Sequence, residues 1–338
     1  MSVAAAVAPA PPKVETLRQM LWKRFRKHRL AMASLVMLAL LTSLCFASPL
    51  IVQQATVQDV DGVEEIVFGA GLLRYTDSGE EIDLSGRFQP PGGSHPLGTD
   101  DLGRDILVRL LQGGRISISI GLIAALAAAF IGVSIGALSG YFGGWLDTLL
   151  MRFTDAMLSV PVLALMIVIA AIDMEKIGLG WVGSLRWGDL KLDSIAKLLF
   201  VVVLFEWMGV ARLVRGSVLS LRERDFVMAA RALGASHGRI IGLHLVPNAI
   251  APIIVATTLA AGEIILYEAV LSFLGLGIMP PTPSWGNMLH GAQEYIRKSP
   301  WLAVYPGVLI WVTVTAFNFL GDGLRDALDP KYISGKAG

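Results

Sequence analysis

The sequence predicts an all-α membrane protein with six transmembrane helices, and three observations carry that prediction. Of the 338 residues, 54% are hydrophobic and only 16% are charged, with a mean hydropathy of +0.63. A spanning helix takes about 20 predominantly apolar residues to cross roughly 30 Å of hydrocarbon. Six runs qualify: Leu30 to Val52, Ile116 to Leu138, Thr148 to Ile172, Leu198 to Leu213, Ala249 to Ile278 and Leu302 to Phe319. Charge is then distributed by side. Arg18, Lys23, Arg24, Arg26, Lys27 and Arg29 precede the first run, so the positive-inside rule puts the N-terminus in the cytoplasm. Counting spans places the acid-rich stretch from Ile51 to Ile116 outside and Arg212, Arg215, Arg222, Arg224, Arg231 and Arg239 inside. Arg325 and the C-terminus fall inside too.

Met1 to Pro12 are rich in Ala and Pro, a composition expected to be disordered. Lys13 to Arg29 reads as a basic amphipathic helix at an anionic lipid surface. The first run is too long for a secretory signal peptide. Cys45 inside it is the single cysteine, which excludes an internal disulfide or a CxxC site and reads as packing.

Beyond the acidic stretch, Asp100, Asp101, Gly103, Arg104 and Asp105 precede a helix that begins near Ile106. They read as a helix cap with surface ion pairs. The second run is lined with Gly121, Ala124, Ala125, Ala128, Gly132, Gly136 and Gly140. Small faces let backbones approach closely in lipid, so this helix is expected in the middle of a bundle or against a second membrane subunit. Tyr141-Phe142-Gly143-Gly144-Trp145 is a tight inner turn, and 173–197 is an outer connection. Glu206 interrupts the fourth run, the shortest, whose continuation through Arg212 and Arg215 reads as a helix emerging into water.

The most elaborate segment is DFVMAARALGASHGRIIGLHLVPN, Asp225 to Asn248. Phe226, Ala230 and Leu233 recur at i, i+4, i+7 and give a short helix one apolar stripe. Gly234 stops it in a left-handed conformation, the Ser236 hydroxyl is expected to cap the next helix, and Pro247 to close it. Helix, glycine corner, helix makes either a knob for another protein's groove or an interfacial pair resting on its own bundle.

Intramembrane acids are functional candidates. Glu263 and Glu268 in the fifth run lie five residues apart, about 140° around a helix, and so form no dyad. Glu268 either lines a path or locks the bundle. Pro280 to Leu289, PPTPSWGNML, reads as a proline-stiffened outer loop with Trp285 as an interfacial aromatic. His237 and His244 lack a nearby third ligand, which disfavours a metal site. The chain contains no HExxH or GxSxG element, and Gly335-Lys336 does not complete a phosphate loop. Neither catalysis nor ATP binding by this chain is therefore expected.

Met228-Ala229-Ala230, Gly234 and Leu245-Val246-Pro247 resemble the EAA loop of ABC importer permeases, with Met228 where that motif usually has Glu. The run from His95 to Gly121, the Tyr141 turn, Pro280 to Leu289 and FNFLGDGLRDALDPK (Phe317 to Lys331) are similar to the C-type permease of the dipeptide/oligopeptide/nickel branch. The matches run in order from about His95 to Lys331. The resemblance implies a type I ABC importer permease fold divided into a cytoplasmic tail and basic helix (1–29), a first span (30–52), an extracytoplasmic loop (53–113), a permease domain (114–322) with coupling loop 221–247, and a cytoplasmic tail (323–338). It further implies a second homologous permease, two ABC ATPase subunits that bind ATP and Mg, an extracytoplasmic substrate-binding protein, and a bacterial inner membrane. The ATPase contact it implies comprises Asp225, Met228, Ala229, Ala230, Arg231, Gly234 and Ala235. Dipeptides, oligopeptides, nickel and glutathione-like substrates all stay open. The rival readings are an ion-coupled secondary transporter, for which no internal half-repeat is visible, a membrane enzyme and a scaffold.

Overall fold

A computed structural model describes residues 17–51, 55–60, 63–68, 83–92, 95–172, 186–187, 190–191 and 193–328. The Ala/Pro-rich N-terminus, most of the 173–197 connection and the chain beyond 328 lie outside the described residues. Among the described residues, five helices are long and apolar enough to cross a membrane: α2 (Arg29–Phe46), α4 (Ile106–Phe142), α7 (Asp193–Leu221), α9 (His237–Phe273) and α11 (Trp301–Leu328). They are joined by α1 (Leu17–Lys27), α3 (Ser48–Ile51), α5 (Gly144–Leu158), α6 (Val162–Ala171), α8 (Asp225–Ala232) and α10 (Trp285–Ala292).

The all-α expectation holds for the membrane part and misses two short hairpins outside it. Strands β1 (Ala55–Val60) and β2 (Val63–Phe68) pair antiparallel, with Ala55 opposite Phe68, and β3 (Arg186–Trp187) pairs with β4 (Leu190–Lys191). Valine, isoleucine and threonine are dense in the first hairpin, which suits an extended backbone.

Helix α4 is the hub, packed along α7 and α9 and touching α2 and α5. Gly132, Gly136 and Gly140 share one face and let α7 approach to backbone contact. A Cβ on Gly132 would lie 2.6 Å from the Trp207 carbonyl oxygen, one on Gly140 2.9 Å from that of Arg215, and one on Gly136 would collide with that of Ala211. Of the two expectations for this small-residue face, the structure realises the middle of the bundle.

The third expected span is two helices, α5 and α6, bent by 81°. Pro161 begins the second, and its ring and missing N–H break the ladder. Asp147 and Asp155 on α5 pair with Arg215 and Arg212 of α7, which gives α5 a charged face against its neighbour. The fourth span, shortest in the sequence, is a helix of 29 residues. Its inward face of Val201, Val202, Phe205, Met208, Ala211, Val214 and Val218 is buried.

Pro247 does not end the helix before the fifth span. A π-helical turn at Ile240–Leu245 runs into a 3-10 turn at Pro247–Ala249, and α9 continues to Phe273. The proline opens that 3-10 turn, where its absent N–H costs little. Helix α11 likewise runs to Leu328, beyond the expected end at Phe319.

The two ends of the bundle are defined by contacts. His28, at the start of α2, lies 3.6 Å from Asp326 at the end of α11, and the ends of α4 and α7 converge on α8. At the other end, Cys45 is buried beside Gly114 near the start of α4. The PPTPSWGNML segment folds back into this second end as α10. Trp285, expected at the interface, is fully buried, because Gly113 and Gly114 leave room for Ser284 and the indole. Its Nε1–H donates to the Leu110 carbonyl at 2.9 Å.

Candidate functional site: a glycine-cornered helical hairpin

Helix α8, the corner at Gly234 and the first turns of α9 form a hairpin at the end of the bundle that also holds His28 and Asp326. The corner is a full Schellman motif. Gly234 has φ +79, its N–H donates to Arg231 O at 3.0 Å, and Ala235 N–H donates to Ala230 O at 3.1 Å. These bonds use carbonyls that the end of α8 would otherwise leave without partners. Nothing lies within 4 Å of where a Gly234 Cβ would stand, so the glycine is required by its backbone angle and not by crowding.

One expectation about this hairpin is corrected, and the structure shows which way its apolar stripe faces. Ser236 occupies the N-cap position with extended backbone, but its side chain makes no capping bond; its carbonyl accepts from Ile240 N–H at 3.0 Å. The stripe Phe226, Ala230, Leu233 does not face the bundle. Val227 is the residue of α8 that is buried, clustered with Val218, Ile240 and Leu245, whereas Phe226 is 41% and Leu233 88% exposed. Val227 turns inward from α8, and Phe226 and Leu233 are left facing outward.

The residues expected to meet a partner are thus presented together. Asp225, Met228, Ala229, Arg231 and Gly234 are exposed, and Ala230 and Ala235 are half-buried. Phe226, Leu233 and Leu243 are exposed on the same hairpin, as are Arg224, Arg231 and Arg239. Sequence reasoning missed the anchor beneath it. Tyr141, read as part of an interfacial turn, is buried at the end of α4 with its Oη 2.7 Å from His237 Nδ1. The aromatic beside a double glycine was visible, but its partner stands 96 positions away.

Glu268 lies in the opposite half of the molecule. It is fully buried, with Oε2 accepting from Ser117 Oγ and Oε1 from Ser272 Oγ, each at 2.8 Å. Ser117 Oγ in turn accepts from Trp285 N–H at 3.3 Å. The carboxylate therefore joins α4, α9 and α10. Glu263 stands apart from it, exposed, and accepts from Tyr267 Oη at 2.7 Å.

Ahead of α4 the acidic run is buried, not a surface feature. Asp100 accepts from the backbone of Leu102 and Arg104 at 2.9 Å and from Arg104 Nε at 2.8 Å. Arg109 Nε stands 3.5 Å from it. Asp105 caps α4 through Val108 N–H at 3.0 Å and meets His95 Nδ1 at 3.0 Å. The Asp101 carboxyl is pushed above the usual range by burial and by the neighbouring Asp100.

Two family models match the chain. Residues 132–334 match the family described as binding-protein-dependent transport system inner membrane component. Residues 16–63 match the N-terminal TM domain of oligopeptide transport permease C. The chain is 42% identical over 262 residues to the dipeptide transport system permease protein DppC of Alkalihalophilus pseudofirmus, covering 78% of this chain and 80% of that protein. It is 36% identical to the oligopeptide transport system permease protein OppC of Bacillus subtilis, over 97% of this chain and 95% of the other. Against the glutathione transport system permease protein GsiD of Pectobacterium atrosepticum it is 35% identical, over 93% and 91%.

Proposed function

Because the chain belongs to the family of binding-protein-dependent transport system inner membrane components, we propose that it is a permease subunit of an ATP-driven importer for dipeptides or oligopeptides. The observation that carries the mechanical part is the hairpin, an exposed apolar surface continuous through α9 with a spanning helix. ATPase subunits that close on ATP would grip this surface and drag it as a rigid body, and the attached spans would swing between inward-open and outward-open arrangements. Asp225, Met228, Ala229, Ala230, Arg231, Gly234 and Ala235 supply the contact.

In this reading ATP and Mg are held by the partners, and this chain is non-catalytic. The partners are a second homologous permease, two ABC ATPase subunits and an extracytoplasmic substrate-binding protein, in a bacterial inner membrane. Sidedness follows from charge. The hairpin end gathers Lys23, Arg24, Arg26, Lys27, Arg29, Arg224 and Arg239, which supports placing it, and both termini, in the cytoplasm. Glu268 is a bundle lock in this scheme, since both its oxygens are engaged by serines.

A glutathione-like substrate is the second reading, favoured by an identity to the glutathione system permease within a point of that to the oligopeptide permease. The test is purification of the tagged chain with its native partners, followed by uptake of labelled peptides into vesicles with and without ATP, glutathione serving as competitor. A co-purified second permease and Walker-motif ATPases with ATP-dependent uptake are expected, and Gly234→Pro should cut uptake at least about tenfold while insertion is unchanged. Uptake by the chain alone on an ion gradient would replace this reading with a secondary transporter.

A further inference from the structure

We infer that Tyr141 is the positioning residue that carries movement of the hairpin into α4; the inference rests on the coupling role proposed for the hairpin. Tyr141 sits in the last turn of α4 and is 7% exposed. Its ring is held from both sides of the glycine corner. From α8, the Arg231 guanidinium stands 5.6 Å from the ring centroid in a cation–π contact. From α9, His237 shares a 2.7 Å hydrogen bond with the Tyr141 hydroxyl and packs edge-on at 5.6 Å. Phe142 closes the group, 5.1 Å from Tyr141 and 5.6 Å from His237.

This contact matters because of where each side leads. The hairpin is covalently continuous with α9, so force on it reaches that helix directly. It reaches α4 through α9, through Ile240 and Leu245 packed with Ala137, and through Tyr141, the α4 side chain met from both sides of the corner. Helix α4 in turn meets α7 along Gly132, Gly136 and Gly140 at backbone distance, and meets α9 again at Gly121, where a Cβ would lie 3.2 Å from the Ala261 carbonyl. Packing that tight does not deform continuously, so displacement at one end of α4 moves the helix as a body. Arg231 precedes the corner and His237 follows it. A partner that tilts the hairpin about Gly234 therefore pulls on the same ring by both contacts.

The chemistry separates the two contacts. Tyr141→Phe removes the hydroxyl and keeps the ring for Arg231; Tyr141→Leu removes both. The experiment uses the complete co-purified complex in proteoliposomes and reads peptide transported per ATP hydrolysed, together with the amount of ATPase subunit retained. Expected are a fall of about 3- to 10-fold in that ratio for Tyr141→Phe and a larger fall for Tyr141→Leu, with the ATPase subunits still bound and still hydrolysing. His237→Ala, which also removes the ring contact, should be at least as severe as Tyr141→Phe, and the double variant should be no worse than His237→Ala, since the two substitutions share the hydroxyl–imidazole bond. His237→Gln, which restores a polar partner, should recover part of the ratio.

A wild-type ratio in both Tyr141 variants, in a complex whose uptake is abolished by Gly234→Pro, overturns the inference and leaves the coupling role standing. Loss of uptake in step with loss of the ATPase subunits also overturns it, because Tyr141 would then only shape the docking surface. Normal uptake in Gly234→Pro is a different failure, that of the coupling role itself.

Discussion

The two ends of this bundle solve opposite problems. Around Glu268 and Trp285 the polar groups are buried and engaged, and Gly114, Gly277 and Gly286 leave no room for a side chain: a Cβ on Gly286 would stand 2.6 Å from the Ser272 side chain. At the hairpin end, Gly234 faces open space, leucine and phenylalanine are exposed, and Val227 turns inward from α8. Glu268 and Trp285 find their polar partners among the described residues of the chain. The second end presents exposed apolar side chains and exposed arginines on one hairpin, and exposed apolar patches rimmed by polar groups are the pattern of an interaction site. The difference teaches that the hairpin's stability and its activity are separable, whereas at the Glu268 end they are not.

The largest test of that contrast is Trp285→Ala. It empties a site between α4 and α10 and removes the indole bond to Leu110, and should cost about 3–5 kcal/mol of folding stability, read as a lowered thermal midpoint in detergent. A smaller loss is expected for Glu268→Leu, which strands the Ser117 and Ser272 hydroxyls: about 1–3 kcal/mol, with Glu268→Gln costing less because it keeps an acceptor oxygen. Equal midpoints for Glu268→Leu and wild type would mean that the serine contacts hold nothing together, and the carboxylate would return to being a candidate for the transport path.

Much of this was legible from the residues and some was not, for physical reasons. Apolar run length located the spans because lipid demands it, and the left-handed Gly234 followed from helix-termination chemistry. Glycine spacing in α4 pointed to close packing without saying which helix would arrive, since α7 lies some 75 positions on and only the folded chain brings Ala211 to Gly136. Trp285 was misplaced for a related reason. An aromatic after several prolines reads as interfacial, and the room made by Gly113 and Gly114 belongs to a different helix. The outward turn of the Phe226 stripe was also hidden, because periodicity identifies an apolar face without revealing whether the chain itself covers it.

That outward stripe gives the sharpest version of the comparison. Leu233 touches solvent over nearly all its side chain, so Leu233→Ser should leave the thermal midpoint of the isolated subunit within about 0.5 kcal/mol of wild type. If the surface is made for a partner, the same substitution should weaken retention of the ATPase subunits during purification, because removing a buried leucine from an interface costs about 1–2 kcal/mol, a factor of five to thirty in affinity. The two readouts move independently only if the hairpin is incomplete by itself. A midpoint that falls with unchanged subunit retention would place Leu233 against its own bundle, and the hairpin would then differ from the Glu268 end in degree and not in kind.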